Sequence, residues 1–163
     1  MSRIVVLCLC GLLTACGVAP ERPVTYLPMP ANASPEANAT AQDVTINALG
    51  LIGTPYRYGG SSPEKGFDCS GLIHYVYRGA AGVKLPRTAA QMSKMQVPAI
   101  IQEELAAGDL VFFSITHQAS HAGIYVGEGR FVHAPSKGGY VRIDDLSSDY
   151  WKRHYSGAKR VIQ

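Results

Sequence analysis

The spacing of apolar residues changes once along this chain, near Gly108 and Asp109. Before this point, apolar side chains recur at helical intervals over residues 44–52 and 69–78, and over a shorter run at 88–95. Helices followed by strands predict an α+β fold, in which N-terminal helices pack on an antiparallel β-sheet. The strands are predicted from short aromatic or β-branched segments separated by glycine-containing turns, at 110–113, 122–126, 131–133 and 140–143.

The first fifteen residues are typical of an export signal. Arg3 precedes an apolar stretch at 4–13, which is shorter than the ~20 residues needed to span a bilayer. Residues 13–17, Leu-Thr-Ala-Cys-Gly, resemble a bacterial lipoprotein cleavage box, and this resemblance implies that Cys16 carries lipid as the first mature residue. Gly17 resembles the residue found there in lipoproteins of the outer membrane that face the periplasm. In the alternative, the segment is an ordinary secretory signal and Cys16 is incidental.

Residues 16–41 differ in composition from the rest of the chain. Half of its ten prolines lie between Pro20 and Pro35, among asparagines and alanines that show no apolar period. This composition predicts a flexible tether that leads to one folded domain at 42–163. The formal net charge of +3 falls to +2 once Arg3 is removed, which is too weak to indicate nucleic acid as a partner. We expect a monomer held at a membrane by its N-terminal lipid.

The predicted folded domain contains a single cysteine. Of the four cysteines, Cys8, Cys10 and Cys16 lie in the first sixteen residues, which leaves Cys69 alone. Exported proteins normally pair their cysteines in disulfides, and an unpaired thiol is open to oxidation. We therefore interpret Cys69 as a nucleophile rather than as a small buried apolar residue. If Asp68 caps the following helix, Cys69 lies in its first turn, where the helix dipole favours the thiolate.

A thiol nucleophile also needs a base, and two of the five histidines lie on neighbouring predicted strands. A two-residue loop at 128–129 would place His133 on the opposite face of the hairpin from His121. A three-residue loop at 127–129 would place both rings on one face. We predict the three-residue loop, because Gly129 can adopt the left-handed conformation that it requires. His121 would then activate the thiol, and His133 would orient the His121 ring.

Zinc is the alternative use of these side chains. His117 and His121 are four residues apart, with His133 and Cys69 as further ligands. Such an i, i+4 pair holds a metal on a helix, whereas residues 116–120 are predicted to form a loop. We therefore predict neither a metal site nor a cofactor.

Six motifs follow one another along the chain: GTPYRYGG at 53–60, GFDCSGL at 66–72, LPRT at 85–88, AGDLVFF at 107–113, HAGIYVG at 121–127 and FVHA at 131–134. Together they resemble the NlpC-type cell-wall cysteine peptidases, over about residues 43–162. The resemblance implies a papain-like α+β domain that hydrolyses peptide bonds in the stem peptides of peptidoglycan. It also implies a Cys-His-His triad, with Cys69 as nucleophile, His121 as base and His133 as the third polar residue.

The same resemblance supplies candidate substrate-binding residues. Tyr56 matches a tyrosine near the nucleophile. Asp68 and Ser70 match positions that bind the amine end of the stem peptide in some members. Arg87 is a further candidate, with a purely structural role as the alternative. The backbone N–H of Cys69 could help to bind the oxyanion.

The resemblance is to the single-domain lipoprotein members of the family, and it implies a murein endopeptidase. The expected bond is the crosslink between D-alanine and diaminopimelate, which would make the protein a D,D-endopeptidase. The alternative bond is γ-D-glutamyl to diamino acid within a stem. Acyl transfer or amidase activity from the same triad stays open. A protein of a different class, an inactive wall-binding lipoprotein, is disfavoured by the intact Cys69, His121 and His133.

Overall fold

The computed structural model describes residues 33–115, 119–136 and 139–163. The predicted signal at 1–15, the lipidation site Cys16 and most of the predicted tether lie outside these ranges. No helix within the described ranges has the length and apolar character needed to cross a membrane. Their helices are α1 (Pro35–Gly50), α2 (Cys69–Ala80), α3 (Ala89–Met92) and α4 (Asp149–His154), with a 3-10 turn at Gln102–Glu104.

Two antiparallel sheets accompany these helices. A small sheet pairs β1 (Ser61–Ser62) with β2 (Gly66–Phe67), just before α2. The main sheet has the strand order β3-β8-β4-β5-β6-β7, with every neighbouring pair antiparallel. Its strands are β3 (Ala99–Ile100), β4 (Leu110–Phe113), β5 (His121–Gly127), β6 (Arg130–His133), β7 (Arg142–Asp145) and β8 (Tyr155–Lys159). The predicted α+β class, with helices on an antiparallel sheet, is confirmed.

Helix α1 begins seven residues before the predicted boundary of the domain at residue 42. Ser34 caps it by accepting a hydrogen bond from the N–H of Ala37 at 3.1 Å, and proline follows at the first helical position. Ala37 and Ala41 are both buried. The end of the predicted tether, residues 35–41, is therefore helical, because its proline lies where a helix tolerates one and its alanines allow close packing.

Helix α2 places Cys69 in its first turn, as predicted. The Asp68 side chain caps the helix by accepting a hydrogen bond from the N–H of Gly71 at 2.6 Å. Four apolar residues at helical spacing are fully buried against α1 and the sheet: Leu72, Ile73, Val76 and Tyr77. Their burial, about 1.5–3 kcal/mol for each fully buried large apolar side chain, fixes the helix and thereby the position of Cys69.

The loop between β5 and β6 differs from the prediction. It has two residues, Glu128 and Gly129, and Gly127 pairs with Arg130 across it. Both loop residues have positive φ, 53° and 74°, as in the type I′ turn that suits a two-residue hairpin. The prediction of a three-residue loop was therefore wrong.

A β-bulge nevertheless restores the predicted arrangement of the two histidines. The register shifts between Tyr125 and Gly127, so that β5 has one extra residue relative to β6. Beyond the bulge, Tyr125 pairs with Phe131, and the side chains of β5 keep the face that they would have had with the longer loop. His121 and His133 consequently lie on one face of the hairpin, in direct contact.

The sheet separates two hydrophobic cores. One core lies between the sheet and α1 and α2, and β5 contributes Ala122, Ile124 and Val126 to it. The other core lies on the opposite face, where Phe113, Phe131 and Trp151 pack together. His121 and His133 contact the aromatic residues of this second core. The sheet thus holds the histidine pair on the face opposite the main helical core.

Helix α3 and strand β7 also differ in extent from the sequence prediction. Helix α3 ends at Met92 instead of residue 95. Strand β7 begins at Arg142 and ends at Asp145, two residues later than predicted. Tyr140 instead forms an isolated bridge with Pro55. The shift of β7 matters for function, because it brings Asp144 onto the strand next to His133.

Candidate active site

Cys69 and His121 line a single cavity of about 500 Å³. Cys69 comes from the first turn of α2 and His121 from the first residue of β5, and these two elements pack against each other. Both sheet and helix are therefore needed to form the cavity. Its other walls are Tyr56, Ile115, Ser120, Ala134, Pro135, Ser136, Arg142, Tyr150 and Trp151.

The Cys69 thiol is protonated at rest. Burial, as the largest cause, raises its pKa above the ordinary value, and the nearby Asp68 carboxylate raises it further. Backbone N–H groups, that of Ala122 foremost, act in the opposite direction by stabilising the thiolate. A base is consequently required to generate the nucleophile. Ala122 directly follows His121 on β5, so the thiol lies beside the residue that can supply that base.

His121 and His133 form a buried pair. Nε2 of His121 lies 2.8 Å from Nδ1 of His133, within hydrogen-bonding distance. The two ring planes are nearly perpendicular, at 88°. Burial lowers the pKa of His121 to about 3, and proximity to His133 contributes in the same direction. His121 is therefore neutral at pH 7, with Nδ1 as the ring nitrogen not engaged by His133, and it can accept a proton.

Asp144 is a site residue that the sequence analysis missed. Its Oδ2 lies 3.0 Å from Nε2 of the fully buried His133. The contact is close enough for an ion pair, but it does not have the geometry of a hydrogen bond. Arg142 donates two hydrogen bonds to the same carboxylate, both at 2.9 Å. Although burial disfavours the charge, the contact with His133 and the hydrogen bonds from Arg142 and Trp151 hold the Asp144 pKa well below its ordinary value. The carboxylate is therefore ionised.

Trp151 links this carboxylate to His121. Its indole Nε1 donates a hydrogen bond to Asp144 Oδ2 at 2.8 Å. Its ring stacks on His121, with centroids 5.4 Å apart and planes at 23°. Trp151 is buried in the second core and also lines the cavity.

Gly123 allows the two histidine strands to approach. A Cβ atom at this position would lie 2.6 Å from Phe131 Cδ2 and 2.9 Å from the Val132 carbonyl oxygen. It would also lie 3.3 Å from the Cβ of His133. A larger residue would therefore push β6, and with it His133, away from His121.

The predicted substrate-binding residues occupy two places. Tyr56 lines the cavity with Cys69. Asp68, Ser70 and Arg87 instead form a polar cluster at the start of α2. Arg87 donates to both carboxylate oxygens of Asp68, at 2.7 and 2.9 Å, and to the Ser70 hydroxyl at 2.7 Å.

This cluster is tied to the backbone around it. Arg87 also donates to the carbonyl oxygen of Gly60 at 3.0 Å, and Asp68 accepts from the N–H of Gly59 at 2.9 Å. The hydrogen bonds from Arg87 and Gly71 hold the pKa of Asp68 below its ordinary value, against the effect of burial. These contacts give Arg87 a structural role; its role in substrate binding stays a prediction.

The described residues contain no group of three or more His, Cys, Asp or Glu side chains placed to hold a metal ion. His117, one of the residues considered for zinc, lies outside them. His74, on α2, is partly buried, and its Nδ1 lies 2.8 Å from the carbonyl oxygen of Leu85. Cys69, His121 and His133 were predicted as site residues from the sequence, whereas Asp144 and the supporting Arg142 were not.

Comparisons with known proteins identify similar sequences. Murein DD-endopeptidase MepH of Escherichia coli is 50% identical over 126 residues, which are 75% of this chain and 46% of MepH. The gamma-DL-glutamyl hydrolase of Bacillus subtilis is 44% identical over 128 residues, 76% of this chain and 30% of that protein. The chain thus spans half or less of the length of these two relatives.

The fold is also similar to that of solved structures. An NlpC/P60 family protein from Bacillus cereus superposes with a TM-score of 0.70 at 32% identity, over 76% of this chain and 40% of that one. The family model for NlpC/P60 matches residues 53–160, which include Cys69, His121, His133 and Asp144. This chain belongs to the NlpC/P60 family of cysteine peptidases, and its domain has that family's papain-like fold.

Proposed function

We propose that this chain is a peptidoglycan hydrolase that cleaves amide bonds of murein peptides through a Cys69–His121–His133 triad. The observation that carries this proposal is the arrangement of the three side chains. Cys69 and His121 share one cavity, and His133 lies 2.8 Å behind His121. This arrangement supports the assignment of Cys69 as nucleophile, His121 as base and His133 as the group that orients the base.

The proposed reaction proceeds through a thioester. His121 Nδ1 takes the proton of the Cys69 thiol as the sulfur bonds to the peptide carbonyl carbon. The negative charge that forms on the carbonyl oxygen is stabilised by backbone N–H groups near the start of α2, including that of Cys69. His121 then returns its proton to the leaving amine as the C–N bond breaks. A water molecule, deprotonated by His121, hydrolyses the thioester and restores the thiol.

Proton transfer from Cys69 to His121 costs less than forming either charge alone. Burial penalises a lone thiolate at Cys69 and a lone imidazolium at His121. Transfer of the proton creates both charges side by side, so that each stabilises the other. The resting site is then neutral, and the nucleophile forms when the substrate is in place.

The substrate that we favour is the crosslink between D-alanine and diaminopimelate. The similarity to MepH, named as a murein DD-endopeptidase, supports this choice. In this proposal Tyr56 contacts the stem peptide in the cavity. Asp68, Ser70 and Arg87 form the polar cluster at the edge of the nucleophile, where Asp68 and Ser70 would meet the amine end of a stem.

A second candidate is cleavage of the γ-D-glutamyl bond within a stem peptide. The 44% identity to a gamma-DL-glutamyl hydrolase favours it. The same triad would perform the reaction, and only the position of the stem along the cavity would differ.

We also propose that the protein works at the cell envelope. Cys16 would carry the lipid, and the residues that follow would connect it to the domain that begins with α1. Lipid on both the sulfur and the amine of Cys16 would hold the protein stably, since one acyl chain binds only marginally. The membrane would be the outer membrane, with the domain facing the periplasm.

Mass spectrometry of defined muropeptides tests the activity and the bond. The full chain is incubated with crosslinked dimers and with uncrosslinked monomers, beside the Cys69→Ala protein. Dimers that fall to intact monomers indicate a D,D-endopeptidase, whereas shortened stems indicate γ-D-glutamyl cleavage. Equal products from both proteins, or unchanged muropeptides with wild-type protein, would contradict the proposal.

A further inference from the structure

The Asp144 carboxylate connects three groups around the base. It lies 3.0 Å from Nε2 of His133, and it accepts hydrogen bonds from Trp151 and, twice, from Arg142. His133 is fully buried, so its ring has no water to satisfy Nε2. An ionised carboxylate accepts hydrogen bonds and donates none. Its position therefore favours the ring form in which His133 carries its proton on Nε2.

The tautomer of His133 also determines the tautomer of His121. With the proton on Nε2, Nδ1 of His133 is an acceptor, and the 2.8 Å contact makes Nε2 of His121 the donor. The lone pair of His121 is then on Nδ1, the nitrogen that can take the thiol proton. The opposite choice at His133 would place a proton on Nδ1 of His121 and remove the base.

We propose that Asp144 is a positioning residue of this site, the fourth member of a Cys69–His121–His133–Asp144 chain, which selects the reactive tautomer of His121 through His133. This inference rests on the proposed thiol hydrolysis for its catalytic consequence, but the tautomers exist whether or not the reaction occurs. Asp144 touches neither the thiol nor the substrate in this account; it acts only through His133 and Trp151.

The other charged groups near the pair do not replace this carboxylate. Arg142, on the same strand, is the cross-strand partner of His133 and lines the cavity, and its charge opposes protonation of both histidines. Asp68 faces the thiol from the start of α2, and it contributes to the pKa of Cys69 rather than to those of the histidines. Among the groups that affect the histidines, Asp144 alone raises the pKa of His121.

The stacking of Trp151 on His121 provides a second connection. Because Asp144 holds the indole N–H at 2.8 Å, it also fixes the ring that covers one face of His121. Loss of the carboxylate would therefore free the tautomer and the orientation of the base together. For histidines that bind metals, loss of such a supporting partner typically costs roughly 10- to 100-fold in activity, and we expect a loss of that size here.

The test compares Asp144→Asn with Asp145→Asn. Asp145 is the next residue on β7, is fully exposed and hydrogen-bonds only locally to the Ser147 N–H, so its substitution is a matched control. In Asp144→Asn we expect kcat for muropeptide cleavage to fall roughly 10- to 100-fold, with KM little changed. The acid limb of the kcat/KM profile should move to lower pH, because His121 loses the carboxylate that raises its pKa. Asp145→Asn should match wild type in all three.

Nitrogen-15 NMR of histidine-labelled full chain reads the tautomers directly. In wild type we expect His121 and His133 both to carry their proton on Nε2, and in Asp144→Asn the Nδ1–H form should appear. A wild-type His133 protonated on Nδ1 would overturn the proposal, even if Asp144→Asn failed to fold. Wild-type kcat and unchanged tautomers in a folded Asp144→Asn protein would also overturn it. If wild type cleaves no muropeptide, the proposed function fails, while the NMR result still decides the role of Asp144.

Discussion

Two carboxylate–arginine pairs lie on either side of the reacting groups, Asp68 with Arg87 and Asp144 with Arg142. Each arginine donates at least two hydrogen bonds to its carboxylate, and each carboxylate has a lowered pKa. The two pairs differ in the groups that their carboxylates contact. Asp68 caps α2 through the backbone N–H of Gly71 and so positions the helix that carries the nucleophile. Asp144 contacts the ring of His133 and so acts on the base.

The difference shows that two similar ion pairs serve different ends. The charge of Asp68 opposes formation of the thiolate, so its contribution must come from the helix that it caps and from the stem-peptide amine that it would meet. The charge of Asp144 raises the pKa of both histidines and so favours the protonated base. Loss of Asp68 should therefore lower stability and weaken substrate binding, whereas loss of Asp144 should mainly lower turnover.

The largest effect should come from a substitution of His121. His121→Asn removes the proposed base while leaving Cys69 and its helix in place, and we expect kcat/KM to fall about 10³-fold. His74→Asn is the control, because His74 lies on α2 and contacts the Leu85 carbonyl oxygen instead of the cavity. Steady-state hydrolysis of a crosslinked muropeptide measures both. Equal rates for the two variants would contradict the role of His121.

A substitution at Gly123 should separate the histidines without removing either. The added Cβ of Gly123→Ala would meet Phe131 and the Val132 carbonyl, and we expect an unfolding free energy lower by about 1–3 kcal/mol. Activity should fall further than this loss explains, because His133 moves away from His121. Gly79→Ala is the control, since a Cβ there meets nothing within 4 Å. Urea unfolding and kcat, measured on both variants, check the prediction; full activity in Gly123→Ala would refute it.

The histidine pair should make stability depend on pH. Burial lowers both pKa values in the folded protein below the ordinary 6.5, so the unfolded chain binds more protons below that pH. Stability is therefore complete above about pH 6.5 and falls as the pH decreases towards the folded pKa of His121, about 3. At pH 5 the loss for His121 is about 2 kcal/mol. The stability that ionised Asp68 and Asp144 provide is lost only at lower pH, below the ordinary aspartate value of 3.8.

Urea unfolding of wild type and His121→Asn between pH 7 and 5 checks this dependence. The variant should lose less stability over that interval, because one of the two buried rings is gone. The same slope in both proteins would show that the buried pair does not cause it.

The smallest expected effect is a difference in stability between variants of the two carboxylates. Asp68→Ala removes the cap of α2 and should lower the unfolding free energy by about 1–2 kcal/mol. Asp68→Asn should recover part of this, because asparagine also caps helices. Thermal melts of these variants beside Asp144→Asn would check the contrast. A larger stability loss in Asp144→Asn than in Asp68→Ala would break it.

The sequence predicted the Asp68 side of the site better than the Asp144 side. Asp68, Cys69 and the buried positions of α2 are close together in the chain, and capping and helical spacing are local signals. Asp144 is eleven residues from His133 on another strand, and it contacts the ring only because β6 pairs with β7 in one register. The predicted strand ended at residue 143, so this carboxylate was not considered.

The face of the hairpin was predicted correctly for an incorrect reason. An odd-length loop was expected to bring His121 and His133 together, whereas the structure has an even loop and a bulge. The two devices shift the register by the same one residue, and the sequence of glycines at 127 and 129 does not distinguish them. The start of α1 was also missed, because proline and alanine are common in both tethers and the first turns of helices.

The proposed reaction requires a covalent intermediate at Cys69. Intact-mass analysis of the full chain, quenched in acid during cleavage of a crosslinked muropeptide, would measure it. We predict that wild type gains the mass of one acyl stem peptide, located at Cys69 by fragmentation, and that Cys69→Ala neither gains mass nor cleaves. Cleavage by Cys69→Ala at the wild-type rate would contradict the account.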